Sequence, residues 1–149
     1  MSGPSRGVKF LGSYTHQLDD KGRVNLPASF RREAADQRFV LVQPYPPALA
    51  LYPEVEWTGV EDRLSDLMSK GEDERLDVLT ILASAQEVVP DTQGRILIPA
   101  HLKKAAGLES TVMLVGAINK VELWSPEHWN VRVASRAGKL GKFTSQLFR

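Results

Sequence analysis

Two segments decide the fold: LDDKGRVNLP (Leu18–Pro27) and, with its motif 72 positions later, VPDTQGRILIP (Val89–Pro99). Each carries an aspartate, a Gly-Arg pair and a proline at the same internal spacing. With the offset held at 72 and no gaps allowed, identical residues also fall at Ala28/Ala100, Ala34/Ala106, Val40/Val112, Leu51/Leu123 and Trp57/Trp129. Conservative pairs lie between them, among them Val24/Ile96, Leu26/Ile98, Phe30/Leu102, Arg31/Lys103 and Tyr52/Trp124. The chain is an internal duplication. At 149 residues it has room for one ordinary domain, so the two copies must share a core, and two copies are too few for a solenoid.

Outward from the motif, each copy reads as a string of short elements. YTHQL alternates, with Tyr14, His16 and Leu18 on one side and Thr15 and Gln17 on the other, as in a half-buried strand. DDKG turns the chain, and Val24 and Leu26 restart the alternation, so two strands joined by a tight loop are expected, with Lys21, Gly22 and Arg23 near its tip. DTQG, Ile96 and Ile98 repeat the pattern. Pro27 and Pro99 mark the change from strand to helix, and Gly107 is placed to end the second helix. A pair of β-rich runs follows in each copy, RFVLVQ with ALALY and TVMLVG with KVELW. Ser125-Pro126 reads as a cap and first helical residue. Trp57, Val60, Leu64, Leu67 and Met68 share one helical face, as do Leu76, Leu79 and Ala83 after a break at Lys70-Gly71. The expected order is β-turn-β-α-β-β-α, an extra helix, and the same unit again. As domains this gives a flexible arm over 1–10, a first repeat over 13–56, a helical connector over 57–84, a second repeat over 85–128, and a C-terminal helix and tail over 129–149.

The composition is that of a globular chain, 42% hydrophobic and 25% charged, without an apolar run long enough to span a bilayer. Cysteine is absent, which removes disulfides, thiolate metal sites and cysteine nucleophiles and fits a reducing cytoplasm. The net charge of +1 conceals a segregation. Residues 1–34 hold six Lys/Arg against three Asp/Glu, residues 54–77 three against nine, and residues 91–149 nine against four. Adjacent repeats would therefore give the molecule a positive face.

An arginine just past a turn glycine, with Lys21 beside it in the first copy, suits nucleic acid. Both cations can pair with phosphate, and arginine can reach guanine O6 and N7 together, a contact worth about 1–3 kcal/mol of discrimination. The same spacing fits a purely structural arrangement in which Asp19 or Asp91 caps the turn and Arg23 or Arg95 folds back on it. The two roles are compatible. Arg31/Arg32 and Lys103/Lys104, one turn into the short helices, read first as solvated helix faces and second as further phosphate contacts. Trp57 and Trp129 read as core or interface anchors.

Catalysis finds little support. His16, His101 and His128 stand apart without metal-ligand spacing. AGKLGKFTS has the wrong glycine spacing for a phosphate loop, and Asp19 and Asp91 lie in polar turns instead of the apolar pockets that acid–base chemistry uses. The expectation is a non-enzyme without cofactor, metal or small-molecule substrate.

The paired LDDKGR…LP and PDTQGR…IP segments, LYPEVEW and LWSPEHW, and AAGLESTVMLVGAINKVELW closely resemble the MraZ family of bacterial transcription regulators, whose tandem repeats are relatives of the AbrB and SpoVT DNA-binding domains. The similarity runs from about Leu11 to Trp129. It implies an α+β fold with a double-split β-barrel built from two AbrB-like repeats and peripheral helices. It further implies a ring-shaped homo-oligomer that binds short direct repeats in double-stranded DNA upstream of the division and cell-wall gene cluster and represses that cluster. Such a regulator would be cytoplasmic and nucleoid-associated, with no membrane partner. The family's Asp-x-x-x-Arg contacts carry over to Asp19, Lys21 and Arg23 and to Asp91 and Arg95. Gly22 and Gly94 are expected to shape the motif with the two aspartates, and Arg31, Arg32, Gln93, Lys103 and Lys104 are candidates for secondary contacts. Gln93 replaces the cation that Lys21 supplies, and the middle helix DERLDVLTILASAQ is less basic than a DNA-contacting helix should be.

One subunit would offer few cations. Non-specific binding at physiological salt has a Kd of about 10⁻⁴ to 10⁻⁶ M, whereas specific regulators reach about 10⁻⁸ M or better. Linking equivalent units supplies about 10² to 10⁴ if their spacing matches repeated sites. The alternative is a ring that binds another protein through its acidic helices, with the basic tips merely solvated.

Overall fold

The strand alternations and proline stops become short elements in a computed structural model that describes residues 9–34 and 38–148. Residues 1–8 of the expected arm lie outside the described residues. The first copy contributes β1 (Ser13–Gln17), β2 (Arg23–Asn25), α1 (Ala28–Glu33), β3 (Phe39–Tyr45), β4 (Ala48–Pro53) and α2 (Glu54–Met68). After α3 (Glu72–Ser84), the second contributes β5 (Gln86–Val88), β6 (Arg95–Leu97), α4 (Ala100–Ala105), β7 (Thr111–Gly116), β8 (Val121–Trp124) and α5 (Pro126–Ala134). A last helix, α6 (Ala137–Leu147), occupies the stretch with phosphate-loop-like glycines.

The strands form a six-stranded antiparallel sheet in the order β1-β7-β8-β4-β3-β5 and a separate ribbon, β2-β6. The copies exchange strands: β1 of the first pairs with β7 of the second, and β5 of the second pairs with β3 of the first. At the middle, β4 meets β8 with Leu49 opposite Leu123 and Leu51 opposite Val121. The ribbon is centred on Val24 opposite Ile96, residues that are themselves 72 apart, so a pseudo-twofold axis passes between them. Among the described residues no hydrogen-bonded barrel closes; β1 and β5 are the sheet's edges.

Two expectations need correction. The strands flanking each turn do not pair with one another as a hairpin. β1 spends its hydrogen bonds on β7 and β2 on β6. The turn is instead a corner between sheet and ribbon, because the ladder partners that also bury Val24 and Ile96 belong to the other copy.

The ungapped register also fails locally. Val88 pairs with Phe39, and its counterpart His16 pairs with Val112, so the equivalent of Val112 is Phe39 and not Val40. Leu41 and Leu114 face Leu51 and Leu123, a pair still 72 apart. The first copy is one residue shorter before β3 and one longer in the following turn. Burial agrees, since Phe39 and Val112 are fully enclosed and Val40 is not.

The core lies between the sheet's inner face, the ribbon and the short helices. It includes Phe10, Phe30, Leu41, Leu51, Leu102, Leu114 and Leu123. Each such side chain contributes about 1.5–3 kcal/mol by leaving water. Phe30 packs edge-on against Phe10 and Tyr14 at ring-centroid distances of 5.5 and 5.3 Å. Gly107, at φ +65°, ends α4, and Ser125 Oγ caps α5 by accepting from the His128 N–H at 3.1 Å.

On the sheet's outer face a smaller cluster joins Val42, Ala50, Tyr52 and Trp57, with Val60 and Leu64 against it. There α2 behaves as expected at Trp57, Val60 and Leu64, but Leu67 is exposed. In α3 the buried residue is Val78; Leu76 and Ala83 face solvent. That helix packs against α2 and β3, and its apolar residues outnumber the positions that these contacts cover. Among the described residues no helix is long and apolar enough to cross a membrane.

Candidate nucleic-acid interface

Each Asp-x-x-Gly-Arg segment is a turn organised by its aspartate. Asp19 Oδ1 accepts from the backbone N–H groups of Lys21 and Arg23 at 2.9 and 2.8 Å, while Oδ2 accepts from Arg23 Nε at 2.7 Å. Asp91 Oδ1 accepts from Gln93 and Arg95 at 2.9 Å each, and Oδ2 from Arg95 Nε at 2.9 Å. Main-chain bonds complete both: Gly22 N–H donates to Asp19 O at 3.0 Å, and Gly94 N–H to Asp91 O at 2.9 Å. Gly22 and Gly94 sit at φ +83° and +80°, the left-handed conformation that closes a three-residue loop and that L side chains resist.

The loops are tied across the pseudo-twofold. Leu26 N–H donates to Gly94 O and Ile98 N–H to Gly22 O, both at 2.9 Å. The motifs thus emerge side by side at the two ends of one ribbon. Val24 and Ile96 point into the core, and the intervening residues Arg23, Asn25, Arg95 and Leu97 form the opposite face.

The structural and outward roles of arginine coexist. Arg23 and Arg95 each pair with their own aspartate through Nε, yet keep side-chain exposures of 31% and 28%. Among the described residues, neither guanidinium's terminal nitrogens have another hydrogen-bond partner. The carboxylate fixes the plane of the guanidinium and leaves its outer edge for a second acceptor pair. The Arg23 backbone N–H, followed by its side chain and the Lys21 N–H, holds the Asp19 carboxyl below the ordinary aspartate range against the opposing effect of desolvation. The Arg95 backbone N–H does the same for Asp91, followed by the Gln93 N–H and the Arg95 side chain.

The remaining sequence candidates divide. Lys21, Gln93, Arg32 and Lys104 are exposed; Arg31 and Lys103 are partly buried. Arg31 is not simply a solvated helix residue: its guanidinium lies over Gly94, where an added Cβ would come within 2.6 Å of Arg31 Cζ. The first copy's helix therefore buttresses the second copy's turn. The carboxylates serve their own turns. His101 Nε2 lies 3.1 Å from Ser84 O, and His128 Nδ1 2.9 Å from Ser125 Oγ.

Asn25 and Leu97 went unnoticed in the sequence, although they are 72 apart and exposed between the two arginines. The alternation that sends Val24 and Leu26 inward was the available signal, since it sends Asn25 outward. The ribbon's outer face accordingly presents both arginines, with one arm carrying Lys21 and Asn25 and the other Gln93 and Leu97.

A family model described as "MraZ protein, putative antitoxin-like" matches residues 9–79 and 81–139. Among curated proteins, the chain is 39% identical over 121 residues to "Transcriptional regulator MraZ" of Carboxydothermus hydrogenoformans, covering 81% of this chain and 84% of that one. It is 43% identical over 119 residues to the protein of the same name in Thermoanaerobacter pseudethanolicus, with 80% and 82% covered. The corresponding Caldicellulosiruptor saccharolyticus protein is 34% identical over 137 residues, 92% and 95% of the two chains.

Proposed function

The chain belongs to the MraZ family, and from that premise and the geometry of the ribbon we propose that it is a sequence-specific DNA-binding transcriptional regulator. In this reading it is a cytoplasmic, nucleoid-associated repressor of the division and cell-wall gene cluster. It binds short direct repeats upstream of its own operon as a ring-shaped homo-oligomer. Two AbrB-like repeats, 13–56 and 85–128, make the split barrel, with the strand exchange between copies as its seam.

The observation that carries the reading is the placement of two Asp-anchored arginines at the ends of one exposed β-ribbon. A two-stranded ribbon fits the major groove, where an oriented guanidinium edge reads guanine. Lys21, and secondarily Arg31, Arg32, Gln93, Lys103 and Lys104, supply phosphate or polar contacts. Asp19, Gly22, Asp91 and Gly94 shape the motif.

Replacing Arg23 with Ala should weaken binding to the DNA upstream of the operon by about tenfold to a hundredfold, the 1–3 kcal/mol of one lost base contact, with the assembly unchanged. Gel-shift titration measures this, and undiminished affinity would reject the assignment. A protein-interaction ring acting through its acidic helices would show no steep fall in DNA affinity with rising salt, which a DNA-binding face requires.

A further inference from the structure

Every described residue from Asn130 onward is exposed, and an 11-residue helix containing Gly138 and Gly141 is marginal in water on its own. Leu140, Phe143 and Leu147 follow at helical spacing and form one apolar stripe, each more than half exposed. Arg136, Lys139 and Lys142 accompany it, and between residues 128 and 148 there are four Lys/Arg and no Asp/Glu. Such a helix gains its stability by laying that stripe on a partner.

The molecule carries a surface of the opposite kind. Where α2 passes α3, an open groove is lined by Glu61, Leu64, Ser65, Met68 and Leu82. Leu67, Leu76 and Ile81 add exposed apolar area on the same helical pair. Glu61 lines the groove itself, and the segment that carries it is acidic, nine Asp/Glu against three Lys/Arg over residues 54–77. A basic, apolar-striped helix and an acidic, apolar groove are complementary in both respects.

We infer that the α5–α6 tail of one copy docks in the α2–α3 groove of a second copy. The contact joins two different surfaces, so a docked pair still offers one free tail and one free groove, and such an interface propagates until it closes on itself. The inference rests on the self-assembly part of the proposed function and names the surfaces that perform it. It also gives the acidic helices a partner within the chain's own kind.

Charge reversal in trans tests it. Lys139→Glu/Lys142→Glu makes a tail that should be repelled by the native groove; Glu61→Lys/Asp62→Lys makes a groove that should repel the native tail. In light scattering coupled to size exclusion, the native protein should run at a multiple of the 16.5 kDa chain, and each variant alone should fall to smaller species. An equimolar mixture of the two variants should regain the native mass, because each altered tail meets an altered groove and each native tail a native groove. Variants that assemble as well as the native protein, or a mixture that regains nothing, would overturn the inference. In the second case, co-sedimentation of the native but not the tail-reversed protein with phosphatidylglycerol vesicles would assign the tail to an anionic lipid surface. A native protein that is monomeric throughout would defeat the assembly reading itself, whereas assembly indifferent to both reversals would defeat only this interface.

Discussion

In the first copy Trp57 is buried against Tyr52, with ring centroids 5.7 Å apart; in the second, Trp129 meets Trp124 at 5.5 Å and stays partly exposed. Both pairs stand 72 residues apart, so the duplication delivered the same aromatic contact twice. Their surroundings differ because α2 turns at Lys70-Gly71 into α3, which helps cover that half of the sheet's outer face, whereas α5 runs on into α6 and away. The inner face, shared across the pseudo-twofold, could not diverge without disturbing both copies at once. The outer face and the loop tips lay under no such constraint, and there the copies became different.

The largest consequence concerns stability. Trp57→Ala removes a large buried side chain and leaves a cavity, and should cost about 3–5 kcal/mol. Trp129→Ala should cost only about 1 kcal/mol, the middle of the range for ordinary substitutions. Urea unfolding of the two variants side by side checks this, and equal losses would show that the second copy's outer face is covered as fully as the first.

A smaller difference separates the turn glycines. Alanine at either position adopts left-handed backbone at a cost of about 1–2 kcal/mol. At Gly22 the new Cβ meets Ile98 O at 3.1 Å, a backbone atom that yields little; at Gly94 it must displace the Arg31 guanidinium. The second penalty depends on Arg31, so Gly94→Ala should be less damaging in an Arg31→Ala background than alone. A double-mutant cycle by thermal unfolding reads that coupling, and simple additivity would mean that Arg31 does not buttress the turn.

The tips differ by one cation. Lys21→Gln should lower the salt slope of DNA affinity by about one unit, and Gln93→Lys should raise it by about one. Fluorescence anisotropy across a salt series distinguishes this from a contact on one arm only, in which case just one of the pair would respond.

Much of this was legible before the fold was known. The offset of 72 announced the duplication, and the alternation Tyr14-His16-Leu18 and Val24-Leu26 placed strands within one residue of β1 and β2. Gly22, Gly94 and Gly107 were recognisable as left-handed positions from turn chemistry alone. What escaped was non-local. A single copy's pattern does not say that β2 pairs with β6 instead of β1, because local alternation is identical for either partner. The slip that makes Phe39 the equivalent of Val112 is invisible to an ungapped comparison, since the shorter connection before β3 is offset by the longer turn after it. In α3 the amphipathic face was misjudged because it has apolar residues on more than one side. Arg31's place over Gly94 required knowing that a helix of one copy abuts the turn of the other.

The finest comparison is between the two carboxylates. Both are held below the ordinary aspartate value, chiefly by the backbone N–H of the arginine four residues on. A depressed pKa in the folded state means that, just below the ordinary value near 3.9, the unfolded chain takes up protons that the folded chain refuses. The stabilisation is thus complete above about pH 4 and drains away as acidification passes through the folded-state values. The direction and leading cause match in the two turns despite the difference between Lys21 and Gln93, so the aspartates should titrate together. Carboxyl carbon shifts followed by NMR from pH 6 downward would show two nearly superposed curves. Asp19→Asn and Asp91→Asn, which keep an oxygen acceptor but lose the charge, should each remove part of the acid-dependent loss of stability, and by similar amounts. Curves clearly apart would mean that the Lys21 ammonium, and not the turn's own N–H groups, sets the first carboxylate's charge, and the equivalence of the two arginine anchors would fail with it.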